Sequence, residues 1–207
     1  MTHVVRVWLD DRPGAFAEVA TAIGALGVDL VGFDILETGG GRAIDELFIE
    51  LHGSSPSELT GALDALRGVD VEDVRPVRTS VTDPRLDALD AAGALVEAAG
   101  SRGLLETLVG AVLSDFDADW VCVLDRSSMT NVVASGPVPT PQWCVAFVAG
   151  AAETPEMEAP DVAWAAMSDE QSLVMGRENR PLRNRERRQL EALTRIAGLR
   201  HAQLLPG

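Results

Sequence analysis

The sequence predicts an α+β protein with two domains: a βαββαβ domain over residues 1–80, a short linker at 81–85, and a small α/β domain over 86–207 whose antiparallel sheet is flanked by helices. Three observations carry this. Residues 4–77 alternate strand-like and helix-like hydrophobic periods in the order β-α-β-β-α-β. The polar stretch Thr79-Ser80-Val81-Thr82-Asp83-Pro84 then breaks the pattern. The 207 residues exceed one such module and fit two compact units of roughly 100 residues each.

In the first domain, residues 4–9 alternate as a strand with Val5, Val7 and Leu9 on one face. Asp10-Asp11-Arg12-Pro13-Gly14 follows, and Pro13 suits a first helical turn, where a missing N–H costs nothing. Phe16, Val19, Ala20, Ile23 and Leu26 then form one helical stripe, which Gly27 closes as a residue able to take positive φ. Residues 29–37 and 42–51 read as strands joined by a hairpin turn at Glu37-Thr38-Gly39-Gly40-Gly41. Ser55-Pro56-Ser57-Glu58 is a capping box with proline at the first helical position, and Leu59, Leu63 and Leu66 line the helix it opens. Gly68 stops that helix, and residues 69–77 form the fourth strand.

In the second domain, Leu86, Leu89, Ala92, Leu95, Val96 and Ala99 form one helical stripe, and Leu105, Leu108, Val109, Val112 and Phe116 another, with Gly100 and Gly103 interrupting. Trp120-Val121-Cys122-Val123-Leu124 reads as a buried strand and 132–136 as its neighbour. A helix is expected at 142–152, strands at 161–167 and 171–176, and a final helix at 185–199.

Composition limits the function. The net charge is −15, and none of the 17 basic residues is lysine. Such a field repels a phosphate backbone, so nucleic acid is not an expected partner. The Lys-free, Arg- and Ala-rich composition points weakly to a bacterial source. Two cysteines in apolar surroundings suit a reducing compartment. The N-terminus enters a strand pattern directly and no apolar run nears 18 residues, so a cytoplasmic protein without signal peptide or membrane span is expected. His3, His52 and His201 lack metal-ligand spacing, and no phosphate-binding or dinucleotide loop occurs, so neither metal nor cofactor is expected. Without lysine, Schiff-base chemistry through that residue is excluded. Cys144 beside Trp143 reads as a buried structural thiol sooner than a reactive one, and Met167 and Met175 read as core.

Asp11-Arg12-Pro13-Gly14-Ala15-Phe16 followed by Gly27-Val28-Asp29-Leu30, in this element order, resembles the ACT domain family over residues 4–77. The resemblance implies a ferredoxin-like fold, a regulatory role and a small amino acid as ligand, often held between two chains, and hence a homodimer. It places contacts on Leu9, Asp10, Asp11, Pro13, Gly14, Ala15 and Phe16 in the loop, and on Asp29 and Leu30 at the start of the second strand. The physics of the loop agrees. Gly14 lets a ligand approach the main chain, and unpaired N–H groups at a helix start favour a carboxylate. Asp11 and Asp29 can accept from its ammonium group. Asparagine is common at both positions in serine-binding relatives, and two carboxylates favour a cationic group instead. The ligand's carboxylate must then face the loop amides, or the ligand is a different amine. The plainer readings are that Asp11 caps a helix and that Asp29 pairs with Arg12 at a strand edge.

Residues 86–204 resemble a small GAF domain. The carriers are the helix pair, Val123-Leu124-Asp125, and Ser172-Leu173-Val174-Met175-Gly176-Arg177 with the following Leu182 and Glu186. Arg177, Arg180, Arg183, Arg185, Arg187 and Arg188 form a basic stretch. Without interleaved aromatics for base stacking, it reads as a solvated helix start balanced by Glu178, Glu186 and Glu191. The expectation is therefore a sensor and not an enzyme, with the GAF-like half relaying or receiving the signal to or from an unidentified enzyme or regulatory partner. A non-catalytic dimerisation scaffold docking a partner enzyme is the main alternative, and a catalytic second half a remote one.

Overall fold

The computed structural model describes residues 2–76, 84–154 and 159–205. The chain divides into two units, Met1–Asp83 and Pro84–Gly207. Most of the expected linker lies outside the described residues, and its Pro84 already begins a helix.

The first unit runs β1 (Thr2–Asp10), α1 (Ala15–Ala25), β2 (Asp29–Gly39), β3 (Arg42–Glu50), α2 (Pro56–Asp64) and β4 (Val69–Pro76). Its sheet is antiparallel throughout, in the order β2-β3-β1-β4. Strand alternation decides the core: Val5, Val7 and Leu9 of β1 and Leu47 and Ile49 of β3 pack with Val19 and Ile23 of α1 and Leu59 and Leu63 of α2. The opposite face carries the cross-strand pair Arg6–Glu46, with Nη2 and Oε1 2.9 Å apart. The turns follow their residue types. Gly40 and Gly41 both have positive φ (60° and 77°), as a two-residue hairpin with native twist requires. Ser55 and Glu58 make the expected reciprocal cap, and Gly27 takes φ 66° after α1.

One expectation fails at the first loop. Pro13 is not in the first turn of α1; the helix starts at Ala15, and its N-cap is Gly14 at φ 89°. A left-handed N-cap reverses the chain tightly and lifts Pro13 onto the surface.

The second unit runs α3 (Pro84–Glu97), α4 (Ser101–Asp115), β5 (Trp120–Asp125), β6 (Thr130–Ser135), α5 (Pro141–Glu153), β7 (Val162–Ala166), β8 (Gln171–Gly176) and α6 (Asn184–Leu204). The sheet is antiparallel in the order β6-β5-β8-β7. Val121 and Val123 face the core shared by α3, α4 and α6, while Trp120, Cys122 and Leu124 face α5. Burial on both faces explains the uninterrupted apolar run of β5.

Here the helical pattern misleads twice. Gly103 lies inside α4, and only Gly100 breaks the chain, as the N-cap. On α3, Leu95 and Ala91 are buried, whereas Leu86, Leu89 and Val96 of the expected stripe are exposed. The basic stretch also differs from a solvated helix start. Arg177 is buried, donates to the Phe116, Arg180 and Pro181 carbonyls, and pairs with Glu186 at 2.7 Å. Arg180 pairs with Asp117, and Arg187 donates to the Ala159 and Val162 carbonyls. These guanidiniums tie β8 and the final helix to the core of the unit.

Candidate functional site

The β1–α1 loop emerges where β1, the β2–β3 hairpin and the end of α2 converge. The Asp11 amide donates to the Gly41 carbonyl, and the Asp10 amide to that of Gly68. Gly68 is constrained twice: it has φ 76°, and a Cβ there would strike the Asp10 carboxylate. Asp10 itself lies 4.0 Å from both Arg12 and Arg42. These contacts let it brace the loop. Arg12 is drawn onto Glu18 by two hydrogen bonds of 2.9 and 2.8 Å. That pairing raises the guanidinium pKa and lowers that of the Glu18 carboxyl.

No side chain caps α1. The Ala15 amide reaches the Arg12 carbonyl, and those of Phe16 and Ala17 have no acceptor among the described residues. These N–H groups and the positive end of the helix dipole suit a carboxylate.

The nine sequence-predicted residues separate into three groups. Asp11, Pro13 and Gly14 are exposed on the loop, and Phe16 is half-buried beside them. Leu9 and Ala15 are buried, Leu30 packs against the core, and Asp10 is a brace. Asp29 is exposed but stands elsewhere. It pairs in register with Glu50, whereas Asp10 pairs with Arg42 at the other end of the same strand. At about 3.4 Å per residue, Arg42 and Glu50 are roughly 27 Å apart. One chain therefore does not bring Asp11 and Asp29 together. Neither plainer reading holds either: Gly14, not Asp11, is the N-cap, and Asp29 lies 3.1 Å from His52, not against Arg12.

Two features that the sequence reading missed lie beside the loop. Val31, Phe33 and Ile35 are each at least half exposed on β2, an edge strand. Phe33 meets Phe16 of the first helical turn, with ring centroids 4.5 Å apart. The second feature is Asp45, at 4% exposure. Ala43, Asp45, Leu47 and Ile49 share one face of β3, so Asp45 interrupts an otherwise apolar core-facing row. That wrong-parity acid was the available signal. Burial first, and then the Asp11 charge, push its carboxyl up to about 6.

In the second unit, Cys122 and Cys144 are buried partners. Their hydrogen bond and burial raise the Cys122 thiol well above its ordinary value, while the same hydrogen bond lowers that of Cys144; both side chains are buried. A concavity of about 570 Å³ lies against the edge strand β7, walled by Phe147, Trp164, Arg187 and Arg195. Among the described residues, no three or more His, Cys, Asp or Glu gather as a metal site, and no helix is long and apolar enough to cross a membrane.

The family model of the ACT domain matches residues 3–68, within the N-terminal unit, and ACT domains generally bind small ligands and regulate. No curated protein matches the chain. Among solved structures, an unknown protein from Galdieria sulphuraria is similar at 14% identity and a TM-score of 0.33, over 84% of this chain and 77% of that one. A likeness at that level supports no inference about fold or function.

Proposed function

We propose that the ACT unit senses an amino acid or a close amine relative, and that each site is built from two chains. One observation carries this reading: Asp11 and Asp29 stand at opposite ends of the sheet, while β2, the strand between them, has an open edge and an exposed apolar row of Val31, Phe33 and Ile35. Pairing two β2 strands antiparallel about a two-fold axis would cover that row. It would also carry Asp29 of one chain to the loop of the other, because β2 ends at the hairpin beside Asp11. The ligand's carboxylate would meet the Phe16 and Ala17 amides, with acidic side chains around its ammonium group.

On this reading the protein is a cytoplasmic, non-catalytic regulator, and the second unit is a GAF-like domain that relays or receives the signal. Complementation tests the composite site. Asp11→Ala and Asp29→Ala chains should each fail to bind in titration calorimetry against the twenty amino acids. A random mixture of the two should recover roughly a quarter of wild-type sites, since half the dimers are mixed and each has one intact site. No recovery on mixing, with the wild type binding, would place the whole site in one chain. The scaffold reading is favoured by the exposed Leu86, Leu89 and Val96 on α3. It predicts a melting temperature that no amino acid moves, whereas a ligand at a hundredfold excess over its Kd stabilises by about 2.7 kcal/mol.

A further inference from the structure

Asp45 is the one core-facing carboxylate of β3. Its Oδ1 is buried without a hydrogen-bond partner among the described residues. Its position follows from the register. Asp45 lies opposite Val7 of β1 and Ile35 of β2, on the face that packs against the helices. Phe16 rests on Phe33, which pairs with Leu47 of β3. Asp45, two residues nearer the hairpin, thus lies on the helix-facing side of the sheet toward the N-terminal end of α1, with Asp11 close enough for its charge to raise the Asp45 carboxyl pKa.

An unpaired buried carboxylate is costly, and chains normally supply a partner or replace the group. Among the described residues none of the cations at this end of the sheet pairs with it, the exposed Arg67 included. Arg12 is held by Glu18, and Arg42 by Asp70 at 2.5 Å. Asp11 carries the wrong sign. A cation arriving from outside would satisfy Asp45, and it would do so where water screens little, unlike at the exposed Asp11. The neighbouring strand adds a second constraint, since Phe33 and Ile35, the latter in register with Asp45, leave apolar surface exposed on β2.

We propose that Asp45 is the acceptor for the ligand's ammonium group, so that the crevice selects primary amines with an apolar side chain and rejects the same molecules without the amine. This rests on the amino-acid-sensor reading and narrows it. Asp45 fixes the amine from below, and the free helix amides take a carboxylate where the ligand has one.

The test is calorimetric titration of the full chain, wild type and Asp45→Asn, with three probe sets. These are the apolar amino acids, the matching amines without a carboxylate (isopentylamine, 2-phenylethylamine), and the matching carboxylates without an amine (4-methylpentanoate, 3-phenylpropanoate). Wild type should bind amino acids and reject the bare carboxylates. Asp45→Asn should weaken amine-bearing ligands roughly 10- to 150-fold, the range for a hydrogen bond to a charged group. Should the variant not fold, N-acetylated amino acids on the wild type ask the same question, and binding as tight as that of the free amino acids overturns the proposal. Equal binding by wild type and Asp45→Asn also overturns it and leaves the sensor reading standing. Binding of amines but not amino acids, lost in Asp45→Asn, upholds the Asp45 assignment and removes the amino-acid reading. Wild type binding nothing overturns both.

Discussion

Arg177 Nη2 lies 2.7 Å from Glu186 Oε1, and this pair joins the end of β8 to the first turn of α6. Arg177 is the buried member, and the same guanidinium satisfies three backbone carbonyls. Removing it strands all of those acceptors at once. Arg177→Ala should cost about 3–5 kcal/mol in urea unfolding of the second unit, the usual range for breaking a buried pair from one side. A loss under about 1 kcal/mol would mean that the guanidinium is only a surface tie.

Gly68 holds the base of the β1–α1 loop. Gly68→Ala adds a Cβ at positive φ, directly against Asp10. The expected cost is about 1–3 kcal/mol. Hydrogen exchange should speed up at the Asp10 and Asp11 amides more than at those of β2. Uniform loosening of the sheet would contradict a local brace.

Phe33→Asp places a charge on the open edge of β2 without touching the core on β1. It should leave the circular-dichroism spectrum unchanged and shift the protein from dimer to monomer in sedimentation equilibrium. A dimer of unaltered strength would rule out the β2 edge as the interface.

The Asp45 carboxyl ionises at about 6 in the folded chain against an ordinary 3.8, because it is buried and, secondly, because Asp11 is near. Between those values the folded chain keeps a proton that the unfolded chain has released. The resulting stability is complete below about 3.8 and disappears as pH rises through 6. Asp45→Asn is neutral throughout, so its stability relative to ligand-free wild type should climb by up to roughly 3 kcal/mol between pH 4 and 7. A difference that stays flat across that interval would show a carboxyl with ordinary titration.

Cys122 and Cys144 should resist a soluble thiol reagent in the native state and react at once in denaturant, since both side chains are fully buried. Rapid native labelling of Cys144 would revive a reactive-thiol role.

Much of the fold was legible from neighbours along the chain. Ser55 and Glu58 are three residues apart and cap a helix wherever they occur; Gly27 and Gly40-Gly41 mark backbone that other residues resist. The strand alternation of Val5, Val7 and Leu9 selects the core face with no knowledge of the partner strand. The helix faces of the second unit were less readable, because α3 carries leucines on two sides and only packing decides between Leu95 and Leu89.

The candidate site was legible only in part. Asp11 and Asp29 stood out in the sequence, but their separation is set by strand register, which short-range pattern does not encode. Asp45 was visible as an acid at core parity on β3, yet its meaning depends on what lies above it.

What the sequence by itself determined is local: element order, caps, turns and the uncapped loop that opens α1. Those depend on dihedral preference and hydrophobic period within a few residues. What only the tertiary structure decided is which groups share a place. The path of the chain leaves β2 as an open edge, sends Asp29 to the end of the sheet remote from Asp11, and puts Asp45 on the helix-facing side without a partner. Burial and electrostatic coupling act through space, and residues distant in sequence acquire them only when the sheet closes.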